Sequence, residues 1–191
     1  MHHLRAALDG AGGTGSPLAT VKVGRETGYI LKIPAEAVDA HRFEQLAADG
    51  REALSQSCPT DAAALLGQAL ELWRGRPLAD AADKPFAVAE IARLNALYRA
   101  VVAGRVEADV HRGLHREVTG ELEALVGRWP EDEGIRSLLV SCLAKVGRAH
   151  DAARACQEGI SLALNLGLDI TRLQALQRDV LNGVPGASPG G

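Results

Sequence analysis

Two glycines 34 residues apart constrain this chain more than any other feature. Gly113 is followed by Val118, Leu122 and Leu125 at offsets of 5, 9 and 12. Gly147 is followed by Ala152, Cys156 and Gly159 at the same offsets. An earlier, looser copy lies in DAAALLGQALEL, with Ala62, Leu66 and Ala69. Glycine suits a break between helices, and small side chains let helices cross closely. A unit recurring at this period hides its apolar face only by stacking on the next unit. The chain must therefore be mostly helical, with its core shared between neighbouring helix pairs.

The hydrophobic period agrees from Asp39 onward. DAHRFEQLAADGREALSQ sets Phe43, Leu46, Ala47 and Leu54 along one stripe at 3.6-residue spacing, with Asp39 placed to cap it. Pro59-Thr60-Asp61 opens a second helix, which RGRPLAD ends. Further helices are predicted over 85–112, 115–128, 132–146, 149–166 and 170–182. The indole of Trp73, at the end of the second helix, is read as the filling of a packed corner between pairs. Arg74 and Arg76 beside it are candidates for an acidic partner.

Before residue 34 the pattern differs. TVKVGRETGYIL, residues 20–31, alternates with a period of 2 around a Gly24-Arg25-Glu26 tip and reads as a hairpin. A two-stranded hairpin is marginal alone, so it packs on something or is the remainder of something larger. MHHLRAALDG has helical character and AGGTGSP is a loop.

Composition narrows the functional classes. Aromatics are only 3% of the 191 residues, so Leu, Ala and Val build the core. Residues 1–34 carry four basic against two acidic side chains, a net of +2. That leaves −5 for the remaining 157 residues of a chain whose total is −3, and it hints at an anionic partner near the start. No apolar run spans a bilayer and no signal peptide is present, which implies no membrane association and a cytoplasmic location. Cys58, Cys142 and Cys156 lack metal-ligand spacing, and the last two read as core thiols. His111 and His115 are four apart, yet no glutamate follows the first and Gly113 lies between them, so surface or interhelical roles are expected. Glu121 and Glu123 point to different helix faces. The glycines at 10, 12, 13 and 15 neither follow a strand nor open a helix, so they are not a phosphate cradle. RWPEDE is a turn into an acidic helix start, where negative charge suits the helix dipole. No catalytic residue, metal site or cofactor is predicted.

The 34-residue period resembles tetratricopeptide repeats. More specifically, ALELWRGRPLAD, EIARLNALYRAVVAGRVEADVHRGLHREVTGELEALVGRWP and LAKVGRAHDAARACQ resemble the bacterial transcriptional activator domain of the antibiotic regulatory proteins (the SARP family). The likeness covers roughly residues 34 to 183. It implies a mostly α fold, a tetratricopeptide-like repeat domain behind an OmpR-type winged helix-turn-helix. LRAAL followed by LATVKVGRETGYIL is then similar to the end of a recognition helix and its β-hairpin wing.

The resemblance divides the chain into a remnant DNA-binding part (1–33), the activator domain (34–183) and a disordered tail (184–191). The expected DNA contacts are His3, Arg5, Lys22, Arg25 and Thr27, with Tyr29 as a packing anchor. Ala6, Ala7, Glu26 and Thr27 depart from the family pattern, as do RWPEDEG and Cys156. The supporting helices of the DNA-binding fold are missing, which implies a truncated gene product or a misassigned start. Weak, unspecific DNA affinity follows, because a wing contributes phosphate contacts that position without specifying. The expected protein partners are RNA polymerase or another copy of the chain. The alternative is a repeat module that binds proteins and has no DNA role.

Overall fold

The computed structural model describes residues 18–24, 26–34 and 37–182. It divides into two compact units after Phe43. The first unit contains an antiparallel hairpin, β1 (Leu18–Val23) and β2 (Glu26–Leu31). The strands pair from Leu18 with Leu31 to Val23 with Glu26, with Gly24 at the turn. Gly24 adopts φ +64°, the left-handed conformation such tight loops require. Because side chains alternate across the strands, Lys22, Thr27, Tyr29 and Leu31 share one face while Val21 lies on the other.

Beyond the hairpin the described residues are mostly helical. α1 (Asp39–Ser55) and α2 (Pro59–Glu71) are followed by a short 3-10 turn (Ala79–Ala81). Then come α3 (Pro85–His111), α4 (His115–Arg128), α5 (Glu133–Lys145), α6 (Ala149–Leu166) and α7 (Thr171–Leu181). Proline occupies the first helical position of α2 and α3, where its missing N–H costs nothing. The 34-residue period is visible in the backbone. Gly113 and Gly147 both adopt φ +83°. Each donates its N–H to the carbonyl three residues back, and the next residue donates to the carbonyl five back: Leu114 to Asp109 at 3.1 Å and Arg148 to Leu143 at 2.8 Å. This paired bonding ends a helix and reverses the chain.

Two further turns use the same bonds. Gly167 has φ +68°, and Leu168 donates to Ala163 at 2.8 Å. Ser57 has φ +58°, and Cys58 donates to Ala53 at 2.9 Å. After Ser57 the offsets of 5, 9 and 12 reach Ala62, Leu66 and Ala69, each fully buried. The looser third copy is therefore a true structural repeat, with serine where the other two have glycine.

Within the helical unit, the core runs from the second half of α3 through α4 and α5 to α6. Ile135 through Leu143 are all buried, so α5 has neighbours on every side. Cys142 and Cys156 are fully buried members of this core, as expected. Close crossings fall at glycines. A Cβ on Gly50 of α1 would lie 2.5 Å from Cγ of Leu66, and one on Gly104 of α3 would lie 3.3 Å from its Cδ1. Leu66 is thus held between two bare backbone positions on α1 and α3.

Candidate functional site

Two places gather chemistry-bearing side chains. On the hairpin, Lys22 and Thr27 are direct cross-strand partners, and both are exposed. Opposed residues on one face of an antiparallel pair stand about 5 Å apart at Cβ. One ammonium and one hydroxyl therefore share a face, a pairing that suits a phosphate oxygen. His3, Arg5 and Arg25 lie outside the described residues. Tyr29 is 47% exposed.

In the helical unit, three of the chain's six aromatic residues meet. Trp73, just beyond α2, stacks on Tyr98 of α3 with ring centroids 4.5 Å apart. Tyr98 meets Trp129, just beyond α4, edge-on at 6.4 Å. The Arg128 guanidinium lies 4.7 Å from the Trp129 centroid and 5.5 Å from that of Tyr98, and Arg99 approaches Trp129 at 5.3 Å. Trp73 therefore closes the corner between neighbouring helix pairs. Its partner Tyr98, 25 residues away, carried no sequence signal.

Arg99 also joins α3 to the start of α5. It donates to Glu131 at 2.7 Å and to Asp132 at 2.8 Å. Asp132 caps α5 by accepting from the Ile135 N–H at 3.0 Å. The Glu131 carboxyl sits below the usual range, held there first by a backbone N–H and then by Arg99.

Charge pairs join the other helices. Arg105 of α3 reaches both Asp109 and Glu121 of α4, and Asp109 also accepts from Arg112 at 2.6 Å. Arg148 joins Glu123 at 3.0 Å to Asp151 at 2.7 Å. Glu121 and Glu123 therefore serve different neighbours, as their spacing implies. His111 and His115 fall on opposite sides of the Gly113 turn, and His115 Nδ1 lies 3.8 Å from the Cys142 thiol between helices.

Burial pushes both the Cys142 and Cys156 thiols up to about 11, so neither supplies a thiolate at neutral pH. Among the described residues, no cluster of three His, Cys, Asp or Glu is arranged to hold a metal, and no helix is long and apolar enough to cross a membrane.

Comparison with known proteins agrees with this architecture. The family model described as the bacterial transcriptional activator domain matches residues 38–181. The regulatory protein DnrI of Streptomyces peucetius is 33% identical over 166 residues, covering 86% of this chain and 61% of DnrI. The regulatory protein AfsR of Streptomyces coelicolor is 33% identical over 168 residues, covering 86% of this chain and 17% of AfsR. A solved structure of Mycobacterium tuberculosis EmbR, in complex with a low affinity phosphopeptide, superposes with a TM-score of 0.84 at 29% identity. It covers 98% of this chain and 49% of the EmbR chain. The chain thus spans less than two thirds of the length of these relatives.

Proposed function

This chain belongs to the bacterial transcriptional activator domain family, in the form carried by the antibiotic regulatory proteins, and on that footing we propose that it acts in transcription control. The observation that carries the reading is the EmbR likeness, which extends over nearly the whole chain. In this reading residues 34–183 form the activator module, and residues 1–33 are the part that faces DNA. The helical repeats bind a protein, either RNA polymerase or a second copy. Lys22 and Thr27 lie along the phosphate backbone, with His3, Arg5 and Arg25 extending the same contact. Such contacts hold register and carry no base information, so the affinity for DNA is weak and unspecific. The relatives' regulatory names support a binding role over catalysis, and the two protonated core thiols offer no nucleophile. The location is the cytoplasm, where RNA polymerase works.

Tethering tests this without relying on the chain's own DNA affinity. The full chain is fused to a heterologous sequence-specific DNA-binding domain and placed upstream of a reporter promoter. Transcription should rise several-fold over the binding domain alone. An unchanged reporter, with the fusion present at normal levels, would remove the activating role.

A second reading, a protein-binding module without DNA contact, is favoured by the acidic balance of the remainder after residue 34. It predicts no salt-dependent DNA binding.

A further inference from the structure

Among the described residues, one buried charge in the helical unit has no ionic partner. Arg136 of α5 is only 5% exposed. Its stem crosses the bare Cα of Gly159 on α6, where any Cβ would collide with the arginine Cδ. Its guanidinium donates to two neutral acceptors, the Pro130 carbonyl at 3.0 Å and, at a longer 3.4 Å, the Ala155 carbonyl. Among the described residues, no carboxylate lies within ion-pair distance of it. A guanidinium has five N–H donors, and carbonyls leave its charge uncompensated. An ion withdrawn from water at such a position costs several kcal/mol unless an anion meets it.

Arg136 lines a small cleft between α5, α6 and α7 that opens to solvent. Its inner part has room for about two waters, the space that the two oxygens of a carboxylate fill. Three acidic residues also line it. Glu131 is engaged by Arg99, and Asp169 by the Thr171 N–H and hydroxyl. Glu133 has no such engagement. It precedes Arg136 by three residues on the same face of α5, yet the two do not pair. The rest of the wall is apolar: Leu162 and Leu173 inside, with Leu166 and Leu168 about half exposed at the mouth.

A buried cation, an unengaged carboxylate nearby and an apolar rim are complementary to one chemical class. We propose that the α5–α6–α7 cleft binds a free aliphatic α-amino acid. The ligand's carboxylate sits on Arg136, its ammonium near Glu133, and its side chain on Leu166 and Leu168. A simple anion fits less well, because the acidic lining repels it. A hydrocarbon without charges leaves Arg136 unmet. In a regulator of transcription such a site would make the end of the repeat array responsive to amino-acid supply.

Calorimetry and thermal melting of the full chain with L-leucine test this, with L-leucinamide and N-acetyl-L-leucine as probes lacking one charge each. Leucine should bind and raise the melting temperature, and each analogue should bind at least about tenfold more weakly. Glu133→Gln, at a partly exposed position, should weaken leucine binding by a similar factor and lower the melting temperature of the free protein only slightly, through the charge lost from the first turn of α5. Arg136→Met keeps the stem's volume and should abolish binding. If Arg136→Met does not fold, the analogue series and Glu133→Gln still decide. Absence of leucine binding at 10 mM, or equal binding of leucine and leucinamide, would overturn the proposal.

Discussion

The Leu66 side chain of α2 rests against the bare Cα of Gly50 on α1, where an added methyl would stand 2.5 Å from Cγ and 2.6 Å from Cδ2. Leu66 is fully buried, with Gly104 behind it on α3, so it has nowhere to retreat. Gly50→Ala should therefore cost about 1–3 kcal/mol by overpacking, even though alanine is the better helix former. Leu66→Ala alone should cost about 2–5 kcal/mol through its cavity. The double variant should be far less destabilised than the two losses added together, because the new methyl enters the space the leucine vacates. Urea titration of all four proteins measures the coupling. Simple additivity would show that the crossing is not close.

Ser57 occupies the left-handed turn position held by glycine at Gly113 and Gly147, although L side chains enter this region at a cost of about 1–2 kcal/mol. Ser57→Gly should relieve part of that cost, raising stability by up to about 1 kcal/mol. Gly147→Ala should lower it by a similar amount, with open space around the new methyl ruling out a clash as the cause. Chemical denaturation midpoints of opposite sign would verify the equivalence of these turns.

Asp132 has two tasks that substitution separates. Asp132→Ala removes the α5 cap and one arm of the Arg99 pair, and should cost about 1–2 kcal/mol. Asp132→Asn keeps an oxygen for the Ile135 N–H and loses only the charge. At a pair that is 30% and 22% exposed, that should cost under about 1 kcal/mol. Equal losses would mean that the cap contributes little.

The helices were legible because each element after Asp39 keeps one apolar stripe in register with 3.6 residues per turn, and because Gly113 and Gly147 mark their own turns. Ser57 hid the first turn, since serine does not announce a left-handed backbone. The hairpin was legible as strands, but not in its faces: the register pairs Thr20 with Tyr29, which sets Val21 on the face opposite to the tyrosine. Arg136 could have been suspected as the one charge inside IRSLLVSCLA. Its neutral partners, Pro130 and Ala155, come from outside its helix and have no sequence mark. The stacking of Trp73 on Tyr98 was likewise out of reach, because it depends on how α2 and α3 pack.

Titration should bound the stable pH range at both ends. The Asp151 carboxyl is held below its usual range first by a hydrogen bond from Arg148, and that of Asp169 by the Thr171 hydroxyl and N–H. Such groups add stability above the unfolded carboxylate value near pH 4 and lose it as pH falls through their depressed folded values. At the other end, Cys142 and Cys156 stay protonated up to about 11 in the fold, whereas an unfolded thiol ionises near 8.5. Their contribution is complete below about pH 8.5 and disappears as pH rises towards 11. Melting temperature should be level from about pH 5 to 8 and fall on both sides, and Cys142→Ala should flatten the alkaline limb. Alkylation at pH 8 should label exposed Cys58 quickly and the other two only on unfolding. Rapid labelling of all three would contradict the burial.

The face shared by Lys22 and Thr27 makes a measurable electrostatic prediction. Each phosphate neutralised by a cation releases counterions, so log K for duplex DNA falls against log salt by about 0.9 per contact. The full chain should bind a labelled duplex of arbitrary sequence weakly at low salt, with a slope of a few units. Lys22→Ala should reduce the slope by about 1 and weaken all sequences alike, because no base edge is read. Thr27→Val, which removes a neutral hydroxyl and keeps the strand's shape, should lower affinity without changing the slope. Fluorescence anisotropy at several salt concentrations separates these outcomes. A nanomolar, sequence-dependent complex at physiological salt would place base recognition in the chain itself. Binding absent even at low salt would favour the protein-only module, because an exposed ammonium near a phosphate cannot escape the counterion term.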